Sequence, residues 1–208
     1  MRNIADNTVR RLSLYLRFLE EFHQEGAATV SSKALAARGG TTSAQVRKDL
    51  SFFGSFGKRG LGYAVPELIR RLREILGLGR TYRVVVIGAG KIGQALVQYG
   101  GFANRGFDIV GLFDSDSAKI GKRWDGLAVR DVAQLEKECG VLQPEIAVIV
   151  TPGEVAQGVT DRLVKCGVTA ILNFAPVQLQ APSTVVIKNV NLVLELEALS
   201  FALANRES

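Results

Sequence analysis

Four consecutive β-branched residues, Val84-Val85-Val86-Ile87, run straight into a glycine-rich turn. A short run that is apolar at every position has no face to show to water, so it suits a strand covered on both sides of a parallel sheet. Gly88, Gly90 and Gly93 follow in the spacing G-x-G-x-x-G, with Ala89, Lys91 and Ile92 between them, and a helical period continues through Ala95, Leu96 and Tyr99. In such a turn the first glycine permits the sharp bend, the second lets backbone approach a pyrophosphate, and the third lets helix and strand pack closely. The helix start adds free N–H groups and partial positive charge for phosphates. A second apolar run, Ile109 to Phe113, ends at Asp114, 21 residues beyond Gly93. An acid there is placed for a ribose 2′-OH and favours NAD(H) over NADP(H). Glycines alone would say little. Strand, glycines, helix, second strand and terminal acid in order predict a dinucleotide-binding unit.

The rest of the chain must be fitted around that unit. Its 208 residues hold one large domain or two small ones. No apolar run approaches the about 20 residues of a membrane span. The N-terminus lacks the apolar core and cleavage site of a signal peptide, so the expectation is a cytoplasmic protein that is not membrane-bound. Cys139 and Cys166 stand 27 apart, in no metal-ligand or redox-motif spacing, and read as free thiols in a reducing compartment. No metal site is expected. Residues 1–80 carry 14 Lys and Arg against 7 Asp and Glu, a net +7, whereas residues 81–208 carry 12 against 13, a net −1. The basic excess therefore lies wholly ahead of the glycine turn, as when a nucleic-acid-facing module is joined to a near-neutral ligand module.

Ile4 to Phe22 has the period of an amphipathic helix, with Gly26 beyond its end. Ser31 and Ser32 can cap a short helix over Lys33 to Arg38, and Thr41, Thr42 and Ser43 a second over Ala44 to Phe53. Two short helices about a tight Gly39-Gly40 turn make a helix-turn-helix. In the second, Val46, Leu50 and Phe53 would face the core, leaving Gln45, Arg47, Lys48 and Ser51 outward with Ser43 at the start. Gln suits adenine, Arg guanine, and Lys or Ser phosphate, so this helix fits a DNA major groove. Phe53 and Gly54 lead into a glycine-rich segment, with Lys58 and Arg59 at its tip, that reads as the β-hairpin wing of a winged-helix domain. Val65-Pro66 opens another helix, over Glu67 to Leu76. The boundary falls at Gly79, giving a winged-helix domain over 1–79 and a Rossmann-type doubly wound parallel sheet over 80–190. The fold class is α/β.

Beyond Asp114, strands are expected at Gly126 to Val129, Ile146 to Val150 and Ala170 to Leu172, with an edge strand at Val185 to Ile187. Helices are expected around Val132 to Cys139 and over Glu154 to Cys166. Ligands in open parallel sheets lie off the carboxyl ends of the strands, so Thr151, Pro152, Asn173, Phe174 and Ala175 are expected to border the cofactor. The final helix, Leu192 to Asn205, has an apolar stripe of Leu192, Leu196, Leu199 and Leu203 that by itself says only that one face is buried.

The chain resembles the Rex family of redox-sensing transcriptional repressors nearly end to end. The segments that carry the resemblance are QVRKDLSFFGSFGKRGLGY, VVVIGAGKIGQAL and ILNFAPV. The resemblance implies a homodimer that binds double-stranded palindromic operator DNA through its winged helices, senses the NADH/NAD⁺ ratio, and leaves DNA when NADH binds. It also implies that residues 191–208 form a helix exchanged between protomers. Tyr99 matches the family tyrosine on the glycine-turn helix that responds to the nicotinamide. Arg17 matches an arginine that pairs with an aspartate near the start of the partner's last helix. Here that acid is Asn191, which can accept a hydrogen bond but carries no charge; an alternative role is to cap the helix.

An NAD-dependent enzyme would need a proton donor or acceptor near the nicotinamide. The only histidine, His23, lies in the basic N-terminal segment, and no Tyr-x-x-x-Lys pair follows the glycine turn. A coenzyme-A or nucleotide scaffold could use the same fold, but it would not call for the QVRKD helix and the cationic wing. A sensor, not an enzyme, is expected.

Overall fold

The computed structural model describes residues 4–58 and 61–206. The chain divides into two compact units, Met1–Arg80 and Thr81–Ser208.

In the first unit, α1 (Asp6–Gln24) is followed by β1 (Thr29–Val30), α2 (Ser32–Arg38), α3 (Ser43–Ser51), β2 (Gly57–Lys58), β3 (Gly62–Ala64) and α4 (Val65–Ile75). The two short helices start where the sequence supplies caps: the side chain of Ser31 accepts from Ala34 N–H, and that of Thr42 from Gln45 N–H. Pro66 sits in the first turn of α4, where no N–H is missed. Leu12, Leu16 and Leu19 from α1, Leu35 from α2, Val46 and Leu50 from α3 and Leu68 and Leu72 from α4 meet in one core. Phe53 packs against this core only in part. The strands form a small antiparallel sheet in the order β1-β3-β2. β2 and β3 make the wing. The two-residue β1, which backs β3, leaves no periodic trace in the sequence.

The second unit is a seven-stranded sheet. β4 (Tyr82–Ile87) leads through α5 (Lys91–Val97) to β5 (Phe107–Asp114), then β6 (Arg123–Trp124) and β7 (Leu127–Asp131). α6 (Leu135–Leu142), β8 (Ile146–Ile149), α7 (Gly153–Lys165), β9 (Ala170–Asn173), β10 (Val186–Asn189) and α8 (Leu192–Ala204) complete it. The order is β10-β9-β8-β4-β5-β7-β6, parallel except for the β6 edge. Leaving out β6, the strands read in chain order as 3-2-1-4-5-6, the doubly wound dinucleotide-binding topology. Alternate residues of β4 serve two cores. Val85 and Ile87 join Leu135, Cys139 and Leu163 of α6 and α7 on one face, while Val84 and Val86 join Val97 of α5 on the other. The β-branched run is therefore covered on both sides.

Two segments depart from the sequence reading. The glycine-turn helix stops at Val97, ahead of Gly100-Gly101, so Tyr99 lies beyond it, 61 % exposed and edge-on to Phe102. α8 has no buried residue: its apolar side chains run from Leu194 at 58 % exposed to Phe201 at 72 %. Among the described residues, no helix is long and apolar enough to cross a membrane.

Candidate functional site

Reversal of the strand order at β4 opens a crevice between the carboxyl ends of β4 and β8, the switch point at which such sheets bind ligands. A cleft of about 750 Å³ lies there, lined by Gly88, Gly90, Asp114, Lys119, Thr151 and Pro152 among others. The three glycines have distinct surroundings. Gly88 has φ +109°, and a β-carbon on it would meet the Val150 carbonyl at 2.7 Å. One on Gly93 would overlap the Gly88 carbonyl oxygen. Both glycines are thus demanded by the protein's own packing. At Gly90 a β-carbon would meet nothing within 4 Å, and Gly90 lines the cleft. The space a side chain would fill is left for something else, and a pyrophosphate has the shape and charge for it.

Asp114 ends β5 with its carboxylate at the cleft. Oδ2 accepts from Ala89 N–H at 2.7 Å and from the Lys119 ammonium at 3.1 Å, and Oδ1 from Asp116 N–H at 2.9 Å. Burial pushes this carboxyl up, but the Asp116 and Ala89 amides and Lys119 outweigh it and hold it below the usual carboxylate range. The group is ionised at neutral pH. Ionised carboxylates offer about four acceptor positions, so Oδ1 retains one open position. Across the crevice, the Thr151 hydroxyl is buried and has no hydrogen-bond partner among the described residues. Buried polar atoms almost always have one, so an orphan hydroxyl in this cleft suits a ligand group. Open cradle, ionised acid and unpaired hydroxyl together fit a dinucleotide.

The other expected contacts are placed differently. Lys91 and Ile92 are exposed, while Ala89 is buried with its N–H spent on Asp114. Asn173 is buried, its amide nitrogen donating to the Ala175 and Val177 carbonyls and to Asn189 Oδ1, its oxygen accepting from Ala175 N–H. That side chain clamps its own loop, so its hydrogen bonds within the protein are what the structure shows. Ala175 is buried and Phe174 packs in the β4–α5 face of the sheet.

In the first unit, Arg47, Lys48 and Ser51 are exposed along α3. Arg47 and Ser51 line a groove of about 500 Å³ with Ser32, Gly54 and Tyr63 of the wing sheet, and Arg47 donates to Ser32 Oγ at 3.1 Å. Ser43 is half-buried. Lys58 pairs through its backbone with Gly62, and Arg59 lies outside the described residues. Gln45 does not simply point outward. It is half-buried and donates from Nε2 to Asp49 Oδ1 at 2.8 Å.

Asp49 is what sequence reasoning missed. It is 0 % exposed, and Arg11 grips it from Nε at 2.6 Å and Nη2 at 2.7 Å while Tyr15 Oη donates at 3.0 Å. Burial raises this carboxyl, but the hydrogen bonds from Arg11, Gln45 and Tyr15 win and hold it below the usual range. The phenol of Tyr15, raised by burial and by Asp49, moves up to about 12. This network fastens α3 to α1 and so fixes the angle at which Arg47 and Lys48 leave the domain. Arg17, also on α1, is exposed and pairs with Glu21 at 3.6 Å. The Asn191 side chain accepts from Val193 N–H at 3.0 Å and caps α8.

These two units define a class: a winged-helix module joined to a dinucleotide-type sheet. Comparison with known proteins narrows it. A family model described as "Putative DNA-binding protein N-terminus" matches residues 3–51, and one described as "CoA binding domain" matches residues 80–177. The redox-sensing transcriptional repressor Rex of Carboxydothermus hydrogenoformans is 48 % identical over 198 residues, 95 % of either chain. The Rex of Desulforamulus reducens is 46 % identical over 204 residues, covering 98 % of this chain and 97 % of its own. Among solved structures, RSP in complex with β-NAD⁺ and operator DNA superposes with a TM-score of 0.94 at 37 % identity, covering all of this chain and 95 % of that one. RSP in complex with β-NADH gives 0.90 at 36 % identity, again over the whole chain and 97 % of RSP. The chain belongs to the Rex family of redox-sensing transcriptional repressors, regulators rather than enzymes.

Proposed function

We propose that the protein represses transcription as a homodimer on palindromic operator DNA and is released when NADH binds, so that it reports the NADH/NAD⁺ ratio. Residues 1–79 serve as the DNA-binding domain, 80–190 as the dinucleotide domain and 191–208 as the dimerisation helix. The observation that carries the reading is the pairing, on one chain, of exposed cations on a capped recognition helix with a cleft whose glycine cradle, ionised Asp114 and orphan Thr151 hydroxyl suit a dinucleotide. RSP, a Rex-family repressor, is known with operator DNA and NAD⁺ and with NADH.

Arg47, Lys48, Ser51 and the wing cations contact DNA; Gly88, Gly90, Asp114 and Thr151 hold the cofactor. The cofactor supplies no reaction here. It acts by differential affinity, because a ligand that bound both states of the dimer equally would shift nothing. NADH favours the state that cannot hold DNA, and Tyr99, Arg17 and Asn191 take part in telling the states apart. The exposed apolar surface of α8 supports exchange of that helix between protomers, since a soluble monomer rarely shows so continuous an apolar patch.

The test is fluorescence anisotropy of a labelled palindromic operator titrated with protein, then with NADH or NAD⁺. Release by NADH at concentrations at which NAD⁺ leaves the complex intact is the expected result. Binding indifferent to both cofactors overturns the sensor, and loss of specific DNA binding overturns the repressor.

A further inference from the structure

The two cysteines of the chain, 27 residues apart in sequence, are brought together by the packing of α6 on α7. Cys139 lies on α6 and Cys166 caps the end of α7. Both line one surface cavity of about 400 Å³, with Glu136, Gly140, Gln143 and Pro144 around them. Cys139 is buried and Cys166 half-buried, and both are free thiols facing the same cavity.

They also form one rung of a ladder. Glu136 stands three residues before Cys139 and Arg162 four residues before Cys166, so each pair shares a helix face. Arg162 grips Glu136 with two hydrogen bonds of 2.6 Å and donates to the Val132 carbonyl at 2.8 Å. Arg162 also lines the dinucleotide cleft. One rung is thus ionic and reaches the cleft. The next is a dithiol that opens onto the surface cavity.

We propose that Cys139 and Cys166 are a redox-active dithiol, a modification site for hydroperoxides, whose closure to a disulfide staples α6 to α7 and weakens dinucleotide binding. The second half rests on the proposed function above. Burial, and after it the contact with Cys166, pushes the Cys139 thiol up to about 12, so this thiol stays protonated and the half-buried Cys166 is the attacking group. The Cys166 thiolate attacks the peroxide, the O–O bond breaks, and Cys166 becomes a sulfenic acid as the alcohol or water leaves. The Cys139 sulfur then attacks that sulfenic sulfur. Its proton leaves with the displaced hydroxide as water, and the S–S bond forms. Two thiols are oxidised and one peroxide is reduced. The staple acts one helical turn from Glu136 and Arg162, and pulling the end of α7 onto the middle of α6 moves Arg162 in the cleft.

Full-length reduced protein is treated with hydrogen peroxide at pH 8, and intact mass, alkylation after unfolding and NADH affinity are followed together. The expected product has lost two hydrogens, resists alkylation at both cysteines, yields a Cys139–Cys166 linked peptide, and binds NADH about fivefold more weakly, the low end of ordinary coupling between sites. A thiol reductant restores it. Cys166→Ser, altered at the half-exposed member, keeps its NADH affinity through the same treatment. A product that gains oxygen on Cys166 while Cys139 remains alkylatable, or one linked between chains, overturns the dithiol. An intrachain disulfide with NADH affinity unchanged overturns the staple. If the reduced protein does not bind NADH while the linked peptide still forms, the cofactor reading fails and the modification site stands.

Discussion

Asp49 and Asp114 look alike by any local measure. Each is a largely buried carboxylate held ionised by several donors, and burial works against the charge at both. They differ in what remains unused. Asp49 takes two hydrogen bonds from Arg11 and one each from Tyr15 and Gln45, so its acceptor positions are filled by its own domain. Asp114 takes three, two of them from backbone, and faces a cleft with a position open. A filled acid is architecture; an acid with an open position, in a cleft shared with an orphan hydroxyl, is suited to a ligand. The contrast predicts that removing the first costs folding and removing the second costs binding.

The largest effect is expected at Asp49. Truncating one partner of a buried ion pair strands the other, and Asp49→Ala should destabilise the winged-helix unit by about 3 kcal/mol. Urea or thermal unfolding followed by circular dichroism reads this, with operator binding lost in parallel. The acid limb supplies a check on sign. Because the folded-state value of Asp49 lies below its ordinary one, its stabilisation is full above about pH 4 and is lost as pH falls through the depressed value. Asp49→Asn should flatten that part of the stability curve. A variant as stable as wild type and equally acid-sensitive would mean that the network does not hold α3.

Asp114→Ala comes next and should show the reverse pattern. A hydrogen bond to a charged group is worth about 1.5–3 kcal/mol, so NADH and NAD⁺ should each bind roughly tenfold or more weakly by calorimetry. Unfolding should change less than for Asp49→Ala, because the exposed Asp116 amide and Lys119 can turn to water and only the buried Ala89 amide loses its acceptor. Equal loss for the two cofactors is the telling result, since the ribose is common to both. An unchanged affinity would show that the acid does not serve the ribose.

Asp114 was legible in the sequence and Asp49 was not, for physical reasons. Asp114 belongs to a local pattern in which strand, glycines, helix and second strand follow one another, and chain order alone puts it at the switch point. The same locality made the capped helices of the first unit, the β4 run and the edge strand β10 readable. Asp49 sits in Arg47-Lys48-Asp49, ordinary composition for a surface helix, and its partners Arg11 and Tyr15 lie 38 and 34 residues away. No period connects them. Cys139 and Cys166 stayed hidden for the same reason, since only the packing of α6 on α7 joins them. The loop-clamping bonds of Asn173 are likewise invisible in the sequence, because the end of a parallel strand is also where a loop needs a clamp. The helical period runs on in sequence to Tyr99, but the helix ends at Val97, ahead of Gly100 and Gly101.

Lys48 extends the comparison to charges that face solvent. It is exposed on α3, so Lys48→Ala should leave stability within about 0.5 kcal/mol of wild type. Its cost should appear only against DNA. Removing one phosphate contact lowers the slope of log affinity against log salt by about one and weakens all sequences alike. Anisotropy titrations at several salt concentrations measure both. If discrimination between operator and random DNA falls instead, Lys48 reads bases and the division of labour along α3 must be redrawn.

The smallest effect concerns Thr151 and is the most discriminating, because its two readouts should move in opposite directions. Thr151→Val keeps the shape and deletes a buried hydroxyl that has no partner among the described residues. Leaving such a group unsatisfied costs about 1–3 kcal/mol, so the cofactor-free variant should be as stable as wild type or slightly more so. If the hydroxyl is reserved for the dinucleotide, NADH affinity should fall about fivefold, the worth of one ordinary hydrogen bond. Thermal melts with and without NADH measure both on one sample: the variant melts at or above wild type alone and gains less from the cofactor. A variant that is less stable alone would mean that the hydroxyl already has a partner in the folded protein, and Thr151 would then join Asp49 among the residues that build the fold.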